Sequence, residues 1–262
     1  MAQKMNNIQP TGSKKTNLAV YTALFGDYDK LIDPPQKYHD CDFICFTDQK
    51  HIKSKVWEIR FVEENDLPSN MMNRKYKIFP DIYLPEYLKS LYVDANVKIK
   101  KNPVLLAKKF LQDFNIAIPL HFSRNCIYDE ANEVVRLGRA PLEEVQQQIS
   151  LYREQGFPKG YGLTENNIIL RNHHSPEIKA LMAEWWHMLE THTKRDQLSL
   201  MFLVWKHNVN LAKMQHSARG GSYFGLRPHL SRTKTNRWIR IKSCLSMNYP
   251  KISSYLSAFK IK

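Results

Sequence analysis

The stretch SLYVDANVKIK, residues 90–100, runs three strand-forming residues straight into an aspartate and, two positions on, an asparagine. A buried strand ordinarily ends in Gly, Pro or a turn pair, so a carboxylate and an amide at its C-terminal lip point to something held there. Asp94 and Asn96 leave the strand as alternate residues and can both turn toward one ion. Oxygen ligands of this kind suit a hard cation, Mg²⁺ or Mn²⁺. A cation with so few protein ligands takes the rest from substrate phosphates and water, which is how a nucleoside diphosphate is held.

Working outward, the same strand-then-polar-lip arrangement recurs. NLAVYTAL (17–24) is apolar on both faces, as a central parallel strand would be, and ends at Phe25-Gly26-Asp27-Tyr28. DFICFTD (42–48) and VWEIRFV (56–62) follow as strands, then a helix through SNMMNRKYKIFPDIYL closed by Pro80 or Pro85. Beyond residue 100 the pattern predicts a helix at PVLLAKKFLQDF, a strand at NIAIPLH, and helices at DEANEVVRLGR and PLEEVQQQISLYREQG, the last with Pro141 at its first turn and Gly156 past its end. An extended segment then breaks at His173-His174, and Ser175-Pro176-Glu177 opens a helix whose core face is Ile178, Leu181, Met182, Trp185 and Leu189. A further amphipathic helix runs through RDQLSLMFLVWKHN. Strands alternating with helices predict an α/β sheet, with ligands beyond the carboxyl ends of its strands.

Composition bounds the rest. A chain of 262 residues, 43% hydrophobic, can bury a full core, and one domain is expected over 17–225, after a polar, aperiodic leader at 1–16 that reads as disordered. No apolar run reaches the length of a membrane span and the N-terminus lacks a signal-peptide centre, so a cytoplasmic protein is expected. The cysteines Cys41, Cys45, Cys126 and Cys244 have neither zinc nor redox spacing and read as buried thiols. The net charge is +14, and no acid follows Asp196, so nearly all the surplus falls in the final quarter. Residues 226–262 read as a basic tail. Its Trp238, Ile239, Ile241 and Leu245 among Arg237, Arg240 and Lys242 could lie on an anionic membrane surface, nucleic acid or an acidic glycan, or form a solvated face.

Arg74 and Lys77, at i and i+3 on the helix before Asp94, can project from one face and neutralise a pyrophosphate. In isolation they read equally as a solvated face. Glu165, Asn166, Arg171, His173 and His174 form a polar cluster around an extended segment and read as a wall for a donor or acceptor sugar. The adjacent histidines lack the spacing of a helical zinc site. His121 and Arg124 follow another strand, with Arg124 a candidate contact to acceptor or phosphate.

VYTALFGDYDKL, NRKYKIFPDIYLPEYLKSLYVDANVKI, HFSRNCIYDEA and LTENNIILRNHHSPEIKALMAEWWHMLETHTKRDQLSL, in that order, resemble the TOD/MUCI-type glycosyltransferase-like family over about residues 17 to 210. The resemblance implies a GT-A fold: a single Rossmann-like domain used by sugar-nucleotide transferases, with a mostly parallel central sheet, helices on both faces, and distant similarity to glycogenin-like enzymes. It places the nucleotide on Tyr21, Thr22 and Ala23, with Asp48 on base or ribose, and the cation and diphosphate on an Asp-x-Asp motif. The chain has Asp94-Ala95-Asn96 there, so either the metal is held more weakly or Arg74 and Lys77 carry more of the neutralisation. A third metal ligand is expected from a C-terminal histidine, His216 ahead of His229. Asp196-Gln197 is similar to the pair that glycogenin-like enzymes set near the anomeric carbon. Asp196 would be a general base if the reaction inverts, a positioning group if it retains, or simply a helix N-cap.

The expected function is a nucleotide-sugar-dependent glycosyltransferase of hexosyltransferase type with a Mn²⁺ or Mg²⁺ cofactor. It would act on a glycan or lipid-linked acceptor in capsule, lipopolysaccharide or other surface polysaccharide assembly, soluble or peripheral on the inner membrane face. The alternatives are a nucleic-acid-binding module built on the basic quarter, which lacks any recognition-helix signature, and an inactive transferase-like glycan binder, for which Asn96 speaks.

Overall fold

The structure, a computed structural model, describes residues 17–63 and 67–229. The expected leader at 1–16 and the tail from residue 230 onward lie outside the described residues. In chain order the elements are β1 (Leu18–Leu24), β2 (Asp42–Thr47), β3 (Glu58–Phe61), α1 (Ser69–Ile78), α2 (Pro80–Tyr83), β4 (Lys89–Val93), β5 (Val97–Ile99), α3 (Val104–Phe110), β6 (Ile116–Pro119), α4 (Ile127–Arg136), α5 (Leu142–Glu154), β7 (Ile168–Arg171), α6 (Pro176–Thr191), a 3₁₀ turn (Asp196–Leu198), α7 (Leu200–Lys206), β8 (Leu211–Met214) and β9 (Phe224–Leu226). The expected α/β alternation is the one observed.

Seven strands form one sheet in the order β3-β2-β1-β4-β7-β6-β8, and β5 pairs with β9 in a small second sheet. The pairings β1–β2, β2–β3, β1–β4 and β6–β8 are parallel, whereas β7 runs antiparallel to both its neighbours. β1 is central and buried at every residue. Its alternate side chains divide between two cores: Ala19, Tyr21 and Ala23 face the layer built by α1, α4, α5, α6 and α7, while Leu18, Val20 and Leu24 face α3 and the β5–β9 side. Two covered faces explain why the strand shows no polar alternation. Trp185 of α6 is fully buried in the larger core, and Cys41, Cys45 and Cys126 are buried free thiols. Among the described residues no helix is long and apolar enough to cross a membrane.

Of the two closures expected for the helix through SNMMNRKYKIFPDIYL, Pro80 is the one observed: Phe79 (φ −110°, ψ 57°) leaves the helical region after α1, and Pro80 opens the short α2. Two local expectations are corrected. Ser175 stands at the N-cap position of α6 without a side-chain capping bond. Asp196 is not an N-cap either: it opens the 3₁₀ turn, and the chain leaves helical dihedrals at Ser199 before α7 begins.

Candidate functional site

The connections from β1 diverge, β2 lying on one side of it and β4 on the other, and such a switch point is where an open α/β sheet binds ligands. The β1–β4 ladder ends at Tyr21 opposite Tyr92, while β1 continues beside β2 as far as Leu24 opposite Thr47. Asp94 stands where β4 parts from β1. Its amide donates to the Asn167 carbonyl at 2.9 Å, and the Tyr92 hydroxyl donates to Asp94 Oδ1 at 2.9 Å. The turn after β1 closes the other side. Gly26 there has φ +69°, and a Cβ would meet Ser69 Oγ at 2.9 Å, so close packing on α1 calls for glycine.

Asp196 meets this lip from a distant part of the chain. Lys77 Nζ donates to Asp196 Oδ2 at 2.5 Å, with the Lys77 side chain 6% and the Asp196 side chain 16% exposed. The ammonium lies 5.3 Å from the Tyr92 ring centre and 5.8 Å from that of Trp185. The Asp196 carbonyl accepts from Asn166 Nδ2 at 3.1 Å and from Trp185 Nε1 at 3.3 Å, which fixes the backbone that presents the carboxylate. The two carboxyls have opposed environments. Burial pushes Asp94 upward, with Lys77 opposing the rise and Asp196 adding to it. Burial also acts to raise Asp196, but Lys77, Arg74 and Arg195 overcome it and hold that group well below the usual carboxylate range.

Asn96 is almost fully buried at 4% exposure. Its Nδ2 donates to the Arg227 carbonyl at 2.9 Å, and the Arg227 amide donates back to the Asn96 carbonyl at 2.9 Å. This reciprocal pair continues the β5–β9 ladder and ties the segment after β9 across the lip. An aspartate could not make the first of these bonds. His229, at the end of that segment, lies 3.4 Å from Asn96 Nδ2, pairs through Nδ1 with Asp29 Oδ2 at 2.7 Å and packs its ring on Tyr28.

Asn96 Oδ1 is buried without a hydrogen-bond partner among the described residues. That oxygen, together with the Asp94 carboxylate, fits a hard divalent cation. No three His, Cys, Asp or Glu side chains converge on a metal position among the described residues. His216, the expected third ligand, packs on Tyr223, and its imidazole is lowered first by burial and then by Lys109 and Lys101. That places it beside Lys109 of α3. The C-terminal histidine at the lip is His229.

The remaining candidates divide. Tyr21, Thr22 and Ala23 lie inside the sheet at 0%, 0% and 4% exposure, so their side chains do not reach a nucleotide: the lip begins at Phe25 and Gly26. Asp48 accepts the Gly26 amide with both oxygens at 3.1 and 3.2 Å and so shapes the turn. Lys77 is committed to Asp196, while Arg74 gives one bond to the Asn70 carbonyl at 2.7 Å. Gln197 reaches the Thr164 carbonyl at 3.5 Å.

The polar cluster around β7 is split by the strand itself. Because β7 is antiparallel, its leading residues Glu165 and Asn166 lie at the Asp94 edge, while its trailing end lies at the opposite one. Arg171 pairs in register with Ser90 near the start of β4. It is fully buried and donates to the Tyr21 hydroxyl, to the Lys77 carbonyl at 2.7 Å and to the Ile78 carbonyl at 3.4 Å. His173 is 2% exposed beyond it; burial first, then Arg171, press its imidazole down to about 3. His174 meets the Pro85 carbonyl, just before β4. Neither Arg171 nor His173 is a substrate wall.

β6 runs with β4, so His121 and Arg124 do emerge at the Asp94 edge. Arg124 Nε pairs with Glu130 at 2.6 Å, and the Arg219 guanidinium pairs with Glu165 at 2.6 Å while stacking 4.1 Å from the exposed Phe122 ring. Burial, then Arg124 and Arg219, hold His121 down to about 4. Tyr92, Arg195, Arg219 and Glu130 carried no role in the sequence reading. Only Arg195 left a local signal, its adjacency to Asp196. Two hollows, about 500 Å³ on the outer face of α5 and about 440 Å³ beside α7, contain none of the lip residues. Their walls bring together no carboxylate with a cation donor.

Among solved structures the chain is similar to the bifunctional glycosyltransferase WbbM, apo (11% identity, 79% of this chain and 40% of that one, TM-score 0.43). It is also similar to mouse xyloside xylosyltransferase 1, apo (11%, 76% and 84%, 0.41), and to the glycosyltransferase GlyE of Streptococcus pneumoniae TIGR4 (10%, 77% and 46%, 0.41). It spans less than half the length of the first and third of these. No curated protein matches its sequence. The family model described as TOD1/MUCI70, glycosyltransferase-like domain, matches residues 2–218. By that match over most of its length, the chain belongs to the TOD1/MUCI70 family of glycosyltransferase-like domains.

Proposed function

We propose that this glycosyltransferase moves a hexose from a nucleoside-diphosphate donor to a hydroxyl of a glycan or lipid-linked acceptor. The observation that carries the reading is the meeting of Asp94, from the end of β4, with the Lys77–Asp196 pair, 119 residues apart in sequence, at the β1–β4 switch point. Asp94 and Asn96 would hold a Mg²⁺ or Mn²⁺ ion, whose charge stabilises the departing diphosphate. Arg74 on α1 offers a fork to the same phosphates. Asp196, kept ionised by burial opposed and overcome by Lys77, is a weak proton acceptor and a good hydrogen-bond acceptor, so its part is to hold a sugar hydroxyl in place rather than to take its proton. Arg124 faces the acceptor side, with Glu165, Asn166 and the His121 side chain buried at the same edge. An acceptor built on an anionic inner leaflet suits the acid-free final quarter, and a role in surface polysaccharide assembly follows from that.

Thermal-shift measurement of nucleoside diphosphates and their sugars, with and without Mn²⁺, tests the reading. Mn²⁺-dependent stabilisation by UDP or GDP that disappears in Asp94→Ala supports it. No stabilisation by any nucleoside diphosphate, with either metal, contradicts it.

A further inference from the structure

The sequence pairs Arg74 with Lys77 as the cations that neutralise a pyrophosphate, but the fold spends Lys77 on Asp196. Two other guanidinium groups flank that ion pair. Arg74 approaches from α1 and Arg195 from the residue before the 3₁₀ turn, and both act electrostatically on the Asp196 carboxylate. Nε of each is buried without a hydrogen-bond partner among the described residues. Arg74 uses one other nitrogen on the Asn70 carbonyl. Buried guanidinium donors are almost always satisfied. Two such donors near Asp196 have no hydrogen-bonding partner among the described residues.

Charge balance points the same way. Lys77, Arg74 and Arg195 stand against the two carboxylates Asp94 and Asp196, leaving one positive charge in excess. Asn96, a neutral amide committed to Arg227, adds no negative charge to offset it. Lys77 cannot turn to a ligand without abandoning a buried carboxylate, whereas the Arg side chains have donors to give and the fork geometry that matches phosphate oxygens.

We infer that Arg195 and Arg74 form a guanidinium clamp that binds the leaving diphosphate directly, so that pyrophosphate affinity persists when divalent cations are removed. This rests on the nucleotide-sugar reading and adds to it a binding residue, Arg195, and a metal-independent share of diphosphate recognition.

Isothermal titration of the full chain with inorganic pyrophosphate and with UDP and GDP, in excess EDTA and then in Mn²⁺, tests it. The wild-type chain is expected to bind pyrophosphate in EDTA. Arg195→Gln and Arg74→Gln should each weaken that binding at least about ten-fold, and Arg195→Lys, which keeps the charge but loses the fork, by less. Binding that requires Mn²⁺ in the wild-type chain overturns the inference, and this arm needs no variant to fold. Unchanged affinity in Arg195→Gln overturns it too. If instead no diphosphate binds with or without Mn²⁺, the nucleotide-sugar reading itself fails.

Discussion

The residues that leave β4 and those that leave β7 sit at opposite edges of the same sheet, although the two strands are hydrogen-bonded neighbours. Both segments end in polar residues that look alike in sequence: Asp94 and Asn96 after one, Arg171, His173 and His174 at the other. The first group stands beside Lys77, Asp196 and His229 at the β1–β4 switch point. In the second, Arg171 spans the Tyr21 hydroxyl and two backbone carbonyls and His173 is sealed from water, while His174 is exposed. Strand direction, and not residue type, separates the binding edge from the structural one.

Four substitutions would break or sharpen that contrast. Arg171→Met should have the largest effect on stability, about 3 kcal/mol by urea denaturation, because it removes the guanidinium's buried bonds to the Tyr21 hydroxyl and to the Lys77 and Ile78 carbonyls, leaving Tyr21 and the Lys77 carbonyl only each other. Asp94→Asn should lower sugar transfer about a hundred-fold or more and leave the melting temperature equal or higher, since burial and Asp196 both disfavour that charge in the folded chain. Loss of stability in Asp94→Asn and none in Arg171→Met would reverse the assignment of the two edges.

Asn96→Asp restores the charge of an Asp-x-Asp motif but removes the donor to the Arg227 carbonyl. It should loosen β9 by about 1–3 kcal/mol, read as faster hydrogen exchange at Phe224–Leu226 while the main sheet is unchanged. His173→Asn should act only through pH. Its imidazole is held near 3 against about 6.5 in an unfolded chain, so below pH 6.5 the unfolded state takes up a proton that the folded state refuses, and stability falls as pH drops. Between pH 6.5 and 5.5 the wild-type chain should lose roughly 1 kcal/mol that His173→Asn retains, with transfer activity at pH 7 the same in both.

Much of the fold is legible in local pattern. Apolar runs ending in Gly26, Asp48 and Asp94 mark three parallel strands, and Pro141 and Gly156 (φ +78°) bracket α5. Asp94 is legible as a candidate because a carboxylate at a buried strand's end has no packing reason to be there, and the structure sets it beside Lys77 and Asp196. What escapes is non-local. Nothing near residue 171 says that β7 runs antiparallel, so the cluster from Glu165 to His174 reads as one wall when the strand sends its halves to opposite edges. Likewise the spacing of Arg74 and Lys77 puts both on one helix face, but only the tertiary meeting with residue 196 shows that Lys77 is taken. The Asn96–Arg227 pair spans 131 residues and makes His229, not His216, the histidine at the lip.

The most direct test is a crystal of the full chain grown with UDP or GDP and Mn²⁺. The account predicts the diphosphate at the β1–β4 switch point, within coordination or hydrogen-bond reach of Asp94, Asn96, Arg74 and Arg195. A diphosphate bound at the opposite edge, beside His173 and Pro85, or a lip filled by side chains with no room for phosphate, would contradict it.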